Sequence, residues 1–333
     1  MISKKYTTSF FLILLLTGLL LMVGVQIGSF KTDLGTLFSV ITTYDSDKAE
    51  HFAILELRIP RLLLALLTGG TLALSGYLMQ AMTNNPLADP YLLGTSSGAS
   101  LGANIVYAGI VPANIFTVSL FSFSGAIAVT IAAIAIAYQK GRIEPNRLLL
   151  SGVALSALMV SVSSLMMYQS NDDNRLKNII YWTLGGFEFA GWEQLPLVAL
   201  IVLVLSILFS FYQKQLNLLL LGEERAENIG VNTKALRWIV LIACSLATGI
   251  AVSIAGPIGF VGLIIPHFIR SFYGVSGRYN IIFVVLWGGI FLLACDVISR
   301  LIFYPSGVPI GIITSFVGIP FFVYLLGKNK FRF

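Results

Sequence analysis

Long apolar runs alternate with short polar segments along nearly the whole chain. A helix that crosses the hydrocarbon core of a bilayer needs about 20 consecutive apolar residues. The chain contains about ten runs that approach this length, and none of the polar segments between them is long enough for a separate domain. The pattern therefore predicts about ten transmembrane helices, near residues 8–29, 60–82, 92 onwards, 114–138, 148–169, 195–212, 235–255, 256–270, 281–299 and 310–326.

The polar segments predict turns and short helices. Residues 31–59 are polar enough to form an external segment before the second apolar run. Pro86 and Pro90 predict a tight inner turn, because proline cannot continue a helix without cost. Residues 170–192 form a further polar segment, in which we expect a short helix around 178–184.

One charged segment, residues 221–231, lies between two apolar runs that are each long enough to cross a bilayer. Gly222 suits an N-cap, and Glu223 and Glu224 place negative charge on the first turn, where the helix dipole favours it. Gly230 suits a left-handed stop at the C-terminal end. The segment predicts a helix of about two turns that packing must stabilise, since so short a helix is marginal in water. An ordinary solvated loop is the alternative interpretation.

Composition places the protein in the all-α, multi-pass membrane class. The chain of 333 residues is 57% hydrophobic and only 11% charged, and its mean hydropathy is +0.88. These values do not describe a soluble domain. A helix bundle follows, because the alternating pattern of a membrane barrel is absent. We expect residues 1–333 to form a single transmembrane domain.

Charge predicts the orientation of the chain. With ten crossings and a cytoplasmic N-terminus, the inner loops contain 14 of the 21 Lys and Arg residues and the outer loops contain 7. Positive residues are enriched in cytoplasmic loops of membrane proteins, so both termini are predicted to be cytoplasmic. The net charge of +6 then reflects topology and requires no nucleic-acid partner.

Few residues in the apolar runs suggest chemistry. His267 has no partner at metal-ligand spacing, so we expect it to pack or to form a hydrogen bond, and no metal site is predicted. Asp296 is an acid within an apolar run, where a charge is suspected of function. It precedes Arg300 by four residues, so an ion pair on one helix face is the simpler interpretation.

Several motifs stand in the order found in one known family. The chain resembles the permease subunits of ATP-binding-cassette (ABC) importers for iron siderophores, haem and cobalamin. The similarity covers nearly the whole sequence. The motifs are Arg-Ile-Pro-Arg at 58–61, Asn-Pro-Leu-Ala-Asp-Pro-Tyr-Leu-Leu-Gly at 85–94, Leu-Leu-Leu-Ser-Gly-Val-Ala at 148–154, Tyr-Trp-Thr-Leu-Gly-Gly at 181–186, the charged segment at 222–231, Gly-Phe-Val-Gly-Leu-Ile-Ile-Pro-His at 259–267, and Pro-Ile-Gly-Ile at 309–312.

The resemblance implies a subunit of the bacterial cytoplasmic membrane that pairs with a second copy or with a paralogous permease. An extracytoplasmic binding protein would deliver the substrate, and a separate ATPase would hold ATP and Mg. This chain would bind no cofactor of its own and would not be an enzyme. The residues agree, because the sequence has no Gly-rich loop followed by Lys and Ser or Thr that could hold a nucleotide.

The resemblance also implies three functional sites. The ATPase-coupling site would comprise Gly222, Glu223, Glu224, Arg225, Ala226 and Gly230. The binding-protein docking site would comprise Arg58, Arg61 and Arg300, and the alternative is that these arginines anchor helix ends or pair with Asp296 or Glu56. The cytoplasmic gate would comprise Asn85, Leu87, Pro145 and Asn146, with a purely turn-forming role for Asn85 as the alternative.

The leading functional hypothesis is a permease for a ferric siderophore or similar iron chelate, and cobalamin and haem are the alternative substrates. A secondary transporter driven by ions is the alternative from another class. It would need ionisable or unwound sites near the middle of the membrane, and only Asp296 could serve there. Co-purification with an ATPase separates the two classes.

Overall fold

The computed structural model describes residues 4–28, 34–45, 47–139, 141–170, 172–303 and 307–327, and most of these lie in helices. The predicted cytoplasmic termini, at 1–3 and 328–333, lie outside the described residues. The helices are α1 (Lys4–Gln26), α2 (Leu34–Thr42), α3 (Ala49–Phe52), α4 (Ile59–Thr83), α5 (Thr95–Tyr107), α6 (Ile115–Ala137), α7 (Pro145–Tyr168), α8 (Asp173–Leu184), α9 (Leu195–Leu219), α10 (Glu223–Asn228), α11 (Thr233–Ala255), α12 (Val261–Tyr273), α13 (Asn280–Leu301) and α14 (Ile310–Gly327).

Shorter elements connect the helices. A π-helical turn, Ala53–Arg58, joins α3 to α4, and 3-10 turns occur at Pro90–Leu93 and Trp192–Gln194. Two short strands, β1 (Tyr138–Gln139) and β2 (Arg142–Ile143), pair antiparallel between α6 and α7. The helix predicted to begin at Pro60 in fact extends back to Ala49. The external segment at 31–59 is therefore partly helical.

Seven helices within the described residues are long and apolar enough to cross a membrane: Tyr6–Gln26, Ala49–Thr83, Ile115–Ala137, Pro145–Tyr168, Trp192–Leu219, Thr233–Ala255 and Asn280–Leu301. The other three predicted spans correspond to α5 and α12, with 13 residues each, and to α14, whose apolar part is Ile310–Tyr324. A helix of 13 residues covers about 20 Å, and a bilayer core is about 30 Å thick. Glycine at 94 precedes α5, and glycine and proline at 256 and 257 precede α12.

Helix α4 lies at the centre of the bundle. Its side chains are buried without interruption from Thr68 to Met82, and it packs against α9, α11, α12 and α13. A Cβ atom at Gly69 would overlap the carbonyl oxygen of Gly288 on α13, and one at Gly76 would overlap that of Gly262 on α12. Small residues of this kind let helix backbones approach closely in lipid.

A second close contact joins α5 to α6. A Cβ atom at Gly98 would overlap the carbonyl oxygen of Gly125, and one at Gly102 would overlap that of Phe121. The short helix α5 is therefore held against a full-length span along one glycine face. Gly98 and Gly102 accordingly serve helix packing.

We expect Gly76→Ala to destabilise the bundle, because the added methyl group must separate α4 from α12. Overpacking of this kind costs about 1–3 kcal/mol. Thermal unfolding in detergent, followed by size-exclusion chromatography, measures the effect. The matched control is Gly18→Ala in α1, where a Cβ atom meets no atom within 4 Å. Equal midpoints for the two variants would contradict the proposed close contact.

Candidate functional site

The charged segment forms the predicted short helix, α10. Gly222, with φ of +105°, precedes it, and Gly230, with φ of +94°, follows it. Residues other than glycine rarely adopt such a positive φ, so both glycines are needed where the chain turns into and out of the helix. The two ends of α10 therefore agree with the sequence prediction.

The side chains of α10 divide into an inner and an outer set. Ala226 is fully buried against the bundle, and Glu223 is half-buried beside Arg237 of α11, with Oε2 2.9 Å from Nη2. Glu224 and Arg225 are exposed. Of the predicted coupling residues, only these two charged side chains face outward.

Two apolar residues beside α10 belong to the same exposed surface and were missed by the sequence analysis. Leu221 is 54% exposed and Ile229 is 61% exposed, one at each end of the helix. Both lie within the charged segment at 221–231, but the sequence alone does not show which of its apolar side chains are exposed. Their exposure next to Glu224 and Arg225 creates a mixed apolar and charged surface, as protein interfaces commonly have.

The base of α10 is tied to α11. Thr233 donates a hydrogen bond from Oγ1 to Oε1 of Glu227 at 2.6 Å, and the amide of Val231 donates to the carbonyl oxygen of Ala226 at 3.0 Å. These bonds offset the marginal stability of so short a helix. The outer side chains are thus presented on a fixed support.

The first predicted gate segment is a tight turn after α4. Asn84 caps the helix in the left-handed conformation, with φ of +49°. The side chain of Asn85 accepts a hydrogen bond from the amide of Leu87 at 2.9 Å. Asparagine stabilises turns by such bonds to the backbone two residues on. The structure shows Asn85 as a turn-forming residue, and both Asn85 and Leu87 are half-buried.

The same turn contains a titratable acid. Asp89 accepts a hydrogen bond from the amide of Tyr91 at 2.8 Å. Burial raises the pKa of its carboxyl group to about 6 from the ordinary value of 3.8, although that hydrogen bond opposes the rise. The hydroxyl of Tyr91 accepts a hydrogen bond from the amide of Ile258 at 3.1 Å. The turn is therefore joined to the segment before α12.

The second predicted gate segment begins α7. Pro145 is the first residue of that helix, which suits its fixed φ and its lack of an N–H group, and Asn146 is exposed. Farther along α7, this helix packs against the chain that follows the first gate segment, at Leu92 and Ser97. There a Cβ atom at Gly152 would overlap the carbonyl oxygen of Leu92, and Ser97 donates from Oγ to Oγ of Ser156 at 3.1 Å.

The three predicted docking arginines lie at the opposite end of α4. Asp296, fully buried on α13, contacts two of them. Arg61 donates from Nε to Oδ1 at 2.8 Å, and Nη2 of Arg300 lies 2.9 Å from Oδ2. The predicted pair between Asp296 and Arg300 is therefore present, and Arg61 adds a second cation to the same carboxylate.

Two of these arginines, Arg58 and Arg300, hold the C-terminal end of α1. Arg58, which is 6% exposed, donates from Nη1 to the carbonyl oxygen of Val25 at 2.7 Å. Arg300 donates from Nη1 to the carbonyl oxygens of Gly24 and Ile27 at 2.8 and 3.1 Å. The last carbonyls of a helix lack partners within it and carry its negative pole. In this conformation the three arginines bind groups of the permease itself, namely Asp296 and carbonyl oxygens at the end of α1. This agrees with the alternative interpretation of the sequence, in which they anchor helix ends or pair with an acid.

Long apolar helices, a short charged helix between two of them and a buried ionic cluster at the other end of the bundle together indicate a multi-pass membrane protein. The family model of the FecCD transport family matches residues 13–328, and the chain belongs to that family. Its members are permease subunits of ABC importers, and the ATPase is a separate component. The chain is accordingly the permease subunit of an ABC importer, as the sequence predicted.

Individual relatives of this family are similar to the chain over nearly its whole length. The Fe(3+)-citrate import system permease of Bacillus subtilis is 36% identical and is aligned over 94% of this chain and 91% of the relative. The hemin transport system permease of Yersinia pestis is 34% identical, over 95% and 96%. The structure of a metal-chelate type ABC transporter in an inward-facing conformation superposes with a TM-score of 0.84 at 28% identity. It covers 97% of this chain and 100% of that one.

We expect Asp296→Asn to destabilise the protein by about 3–5 kcal/mol, because it leaves two largely buried arginine side chains without their shared carboxylate. Thermal unfolding in detergent measures the change. The matched control is Asp45→Asn, which removes an acid from an exposed pair, with Asp45 Oδ2 3.9 Å from Lys48 Nζ. Such surface pairs contribute about 0–1 kcal/mol. Comparable losses in both variants would show that Asp296 is not the structural anion described above.

Proposed function

We propose that this permease imports a ferric siderophore or a similar iron chelate. The near full-length similarity to an iron-citrate import permease supports this substrate class. The similarity to a hemin permease supports haem as the second candidate, and cobalamin remains the third. The chain itself performs no bond-making chemistry. Hydrolysis of ATP, which the partner ATPase binds together with Mg, supplies the energy for import.

The proposed topology has ten crossings of the bacterial cytoplasmic membrane, with α5, α12 and α14 as short crossings and with both termini in the cytoplasm. Arg61 lies at the start of α4 and Asn85 follows its end. A helix of 25 residues separates such positions by about 37 Å. This separation supports an outer location for the arginine cluster and an inner location for the turn at Asn85.

The ATPase is proposed to dock on α10. The observation that supports this most directly is the division of its side chains, in which Ala226 and Glu223 face the permease while Glu224 and Arg225 face outward. Leu221 and Ile229 add apolar surface at the two ends. A short helix with an anchored inner face can transmit force from a partner to the spans on either side of it.

The substrate path is proposed to run between this chain and a second permease, either an identical copy or a paralogue. A cleft of about 500 Å³ beside α14 supports this placement, and its lining includes Thr183, Ser315, Phe316 and Ile319. At the cytoplasmic end, the turns at Asn85 and Leu87 and at Pro145 and Asn146 form the proposed gate. Small half-buried or exposed side chains there can repack over short distances.

The extracytoplasmic binding protein is proposed to dock through the arginine cluster. Two guanidinium groups, those of Arg61 and Arg300, share the one carboxylate of Asp296, so this part of the cluster carries a surplus of positive charge. Arginine can bind a carboxylate through two parallel hydrogen bonds. The side chain of Arg61 is 19% exposed, against 12% for that of Arg300, and we place the first contact there.

We expect a strain that lacks this chain to lose uptake of one labelled ferric siderophore, and complementation to restore it. The measurement compares ferric siderophores, haem and cobalamin at limiting concentration. Loss of haem or cobalamin uptake with intact siderophore uptake would leave the importer assignment in place and overturn the substrate proposal. Unchanged uptake of every compound would contradict the proposed substrate range.

For the docking proposal, we expect Arg61→Glu to reduce uptake and a reversed charge at the facing carboxylate of the binding protein to restore part of it. Restoration requires a direct contact between the two groups, because a fold defect in the permease cannot be repaired from outside. Uptake in cells that carry both variants is the measurement. No recovery with any reversed carboxylate, in a permease that still folds, would favour a purely internal role.

A further inference from the structure

Arg237 joins three elements at the cytoplasmic end of the bundle. It lies near the start of α11, and its side chain is only 12% exposed. Nη2 donates to Oε2 of Glu223 on α10 at 2.9 Å. Nη1 donates to the carbonyl oxygen of Ile143 on β2 at 3.3 Å. One guanidinium group therefore spans from α10 to the hairpin formed by β1 and β2.

Arginine suits this position better than lysine does. Its planar guanidinium presents several N–H groups in a rigid fork, so that it can bind two acceptors at a fixed separation. The ammonium group of lysine is a compact charge on a flexible stem. The two hydrogen bonds of Arg237 thus couple the positions of Glu223 and Ile143 to each other.

The hairpin leads directly into the second gate segment. Ile143 is 6% exposed and pairs with Tyr138 across the hairpin. Only Glu144 separates it from Pro145, where α7 begins. A displacement of the Ile143 carbonyl therefore displaces the first residues of α7, which include Pro145 and Asn146.

At its other end, Arg237 is bonded to α10 through Glu223. Glu223 is the first residue of that helix, Thr233 forms a hydrogen bond to Glu227 near its end, and Ala226 on its inner face is buried. These contacts make α10 and the start of α11 one unit. Arg237 extends this unit to the hairpin, which is 80 or more positions earlier in the sequence.

We propose that Arg237 is a positioning residue that transmits movement of α10 to the gate segment at the start of α7. This inference rests on the proposed docking of the ATPase at α10. Arg237 belongs to none of the predicted sites, and in this proposal it connects the ATPase-coupling site to the cytoplasmic gate. Loss of the connection should separate ATP hydrolysis from opening of the path, and it should leave ATPase docking intact.

The experiment uses the full importer in proteoliposomes, with ferric citrate as the first substrate, followed by the chelate that the uptake comparison identifies. Variants Arg237→Gln and Arg237→Lys are compared with Lys234→Gln, which removes a positive charge from an exposed position one turn away on α11. Uptake and ATP hydrolysis are measured on the same samples. We expect uptake per ATP hydrolysed to fall about tenfold in both Arg237 variants, which is the size of a typical coupling between sites, and to stay unchanged in Lys234→Gln.

A distance measurement separates transmission from a general loss of structure. Spin labels at Gln139→Cys on β1 and Asn228→Cys on α10 report the separation of the hairpin from α10, and the two native cysteines are buried. In the parent protein this separation should be the same with and without trapped nucleotide. In Arg237→Gln it should change with nucleotide, because α10 then moves without the hairpin.

Three results overturn the inference. The first is unchanged uptake per ATP in Arg237→Gln, and the second is full recovery in Arg237→Lys, which would show that charge alone suffices. The third is a separation in Arg237→Gln that does not respond to nucleotide. Failure of the proposed function looks different, because the parent importer would then show no ATP-driven uptake of any chelate tested.

Discussion

The close approach of helix backbones around α4 is the constraint on which the rest of the structure depends. Gly69 and Gly76 bring α13 and α12 so near that no other residue fits without displacement. In lipid, helices gain little by hiding apolar side chains from one another, so close backbone contact and hydrogen bonds drive association. The ends of α4 therefore hold fixed positions. The arginine cluster forms at one end and the first gate turn at the other.

Buried charge imposes the second constraint. Asp296 is fully buried, and ion pairs with Arg61 and Arg300 compensate the cost of burying its charge. Arg300 and Arg58 satisfy carbonyl groups at the end of α1, the first helix in the chain. A single ionic cluster thus ties α1, α4 and α13 together. Any partner that draws on its positive charge acts on three helices at once.

The opposite end of the bundle contains the elements that we propose to move. Helix α10 is anchored through its inner face, while its outer face carries exposed charges and apolar residues. Arg237 connects it to the hairpin before α7, and Gly152 packs α7 against the turn that follows α4. A contiguous set of contacts therefore runs from the surface proposed to meet the ATPase to both turns proposed to close the path.

Much of the local structure could be predicted from the sequence, because hydropathy, proline and glycine act over a few residues. The apolar runs, the short helix α10 with Gly222 and Gly230 at its ends, and the pair of Asp296 with Arg300 four residues on are all of this kind. The sequence offered Asp296 as one of several partners for the arginines, and only the tertiary structure decided that Arg61 contacts it, 235 residues away. It also placed Arg237 between Glu223 and Ile143. It also limited α5 and α12 to 13 residues each, since glycine contacts can hold a short helix that hydropathy alone extends. Pairings between helices depend on which faces meet, and that is decided by packing around α4 and not by any local pattern.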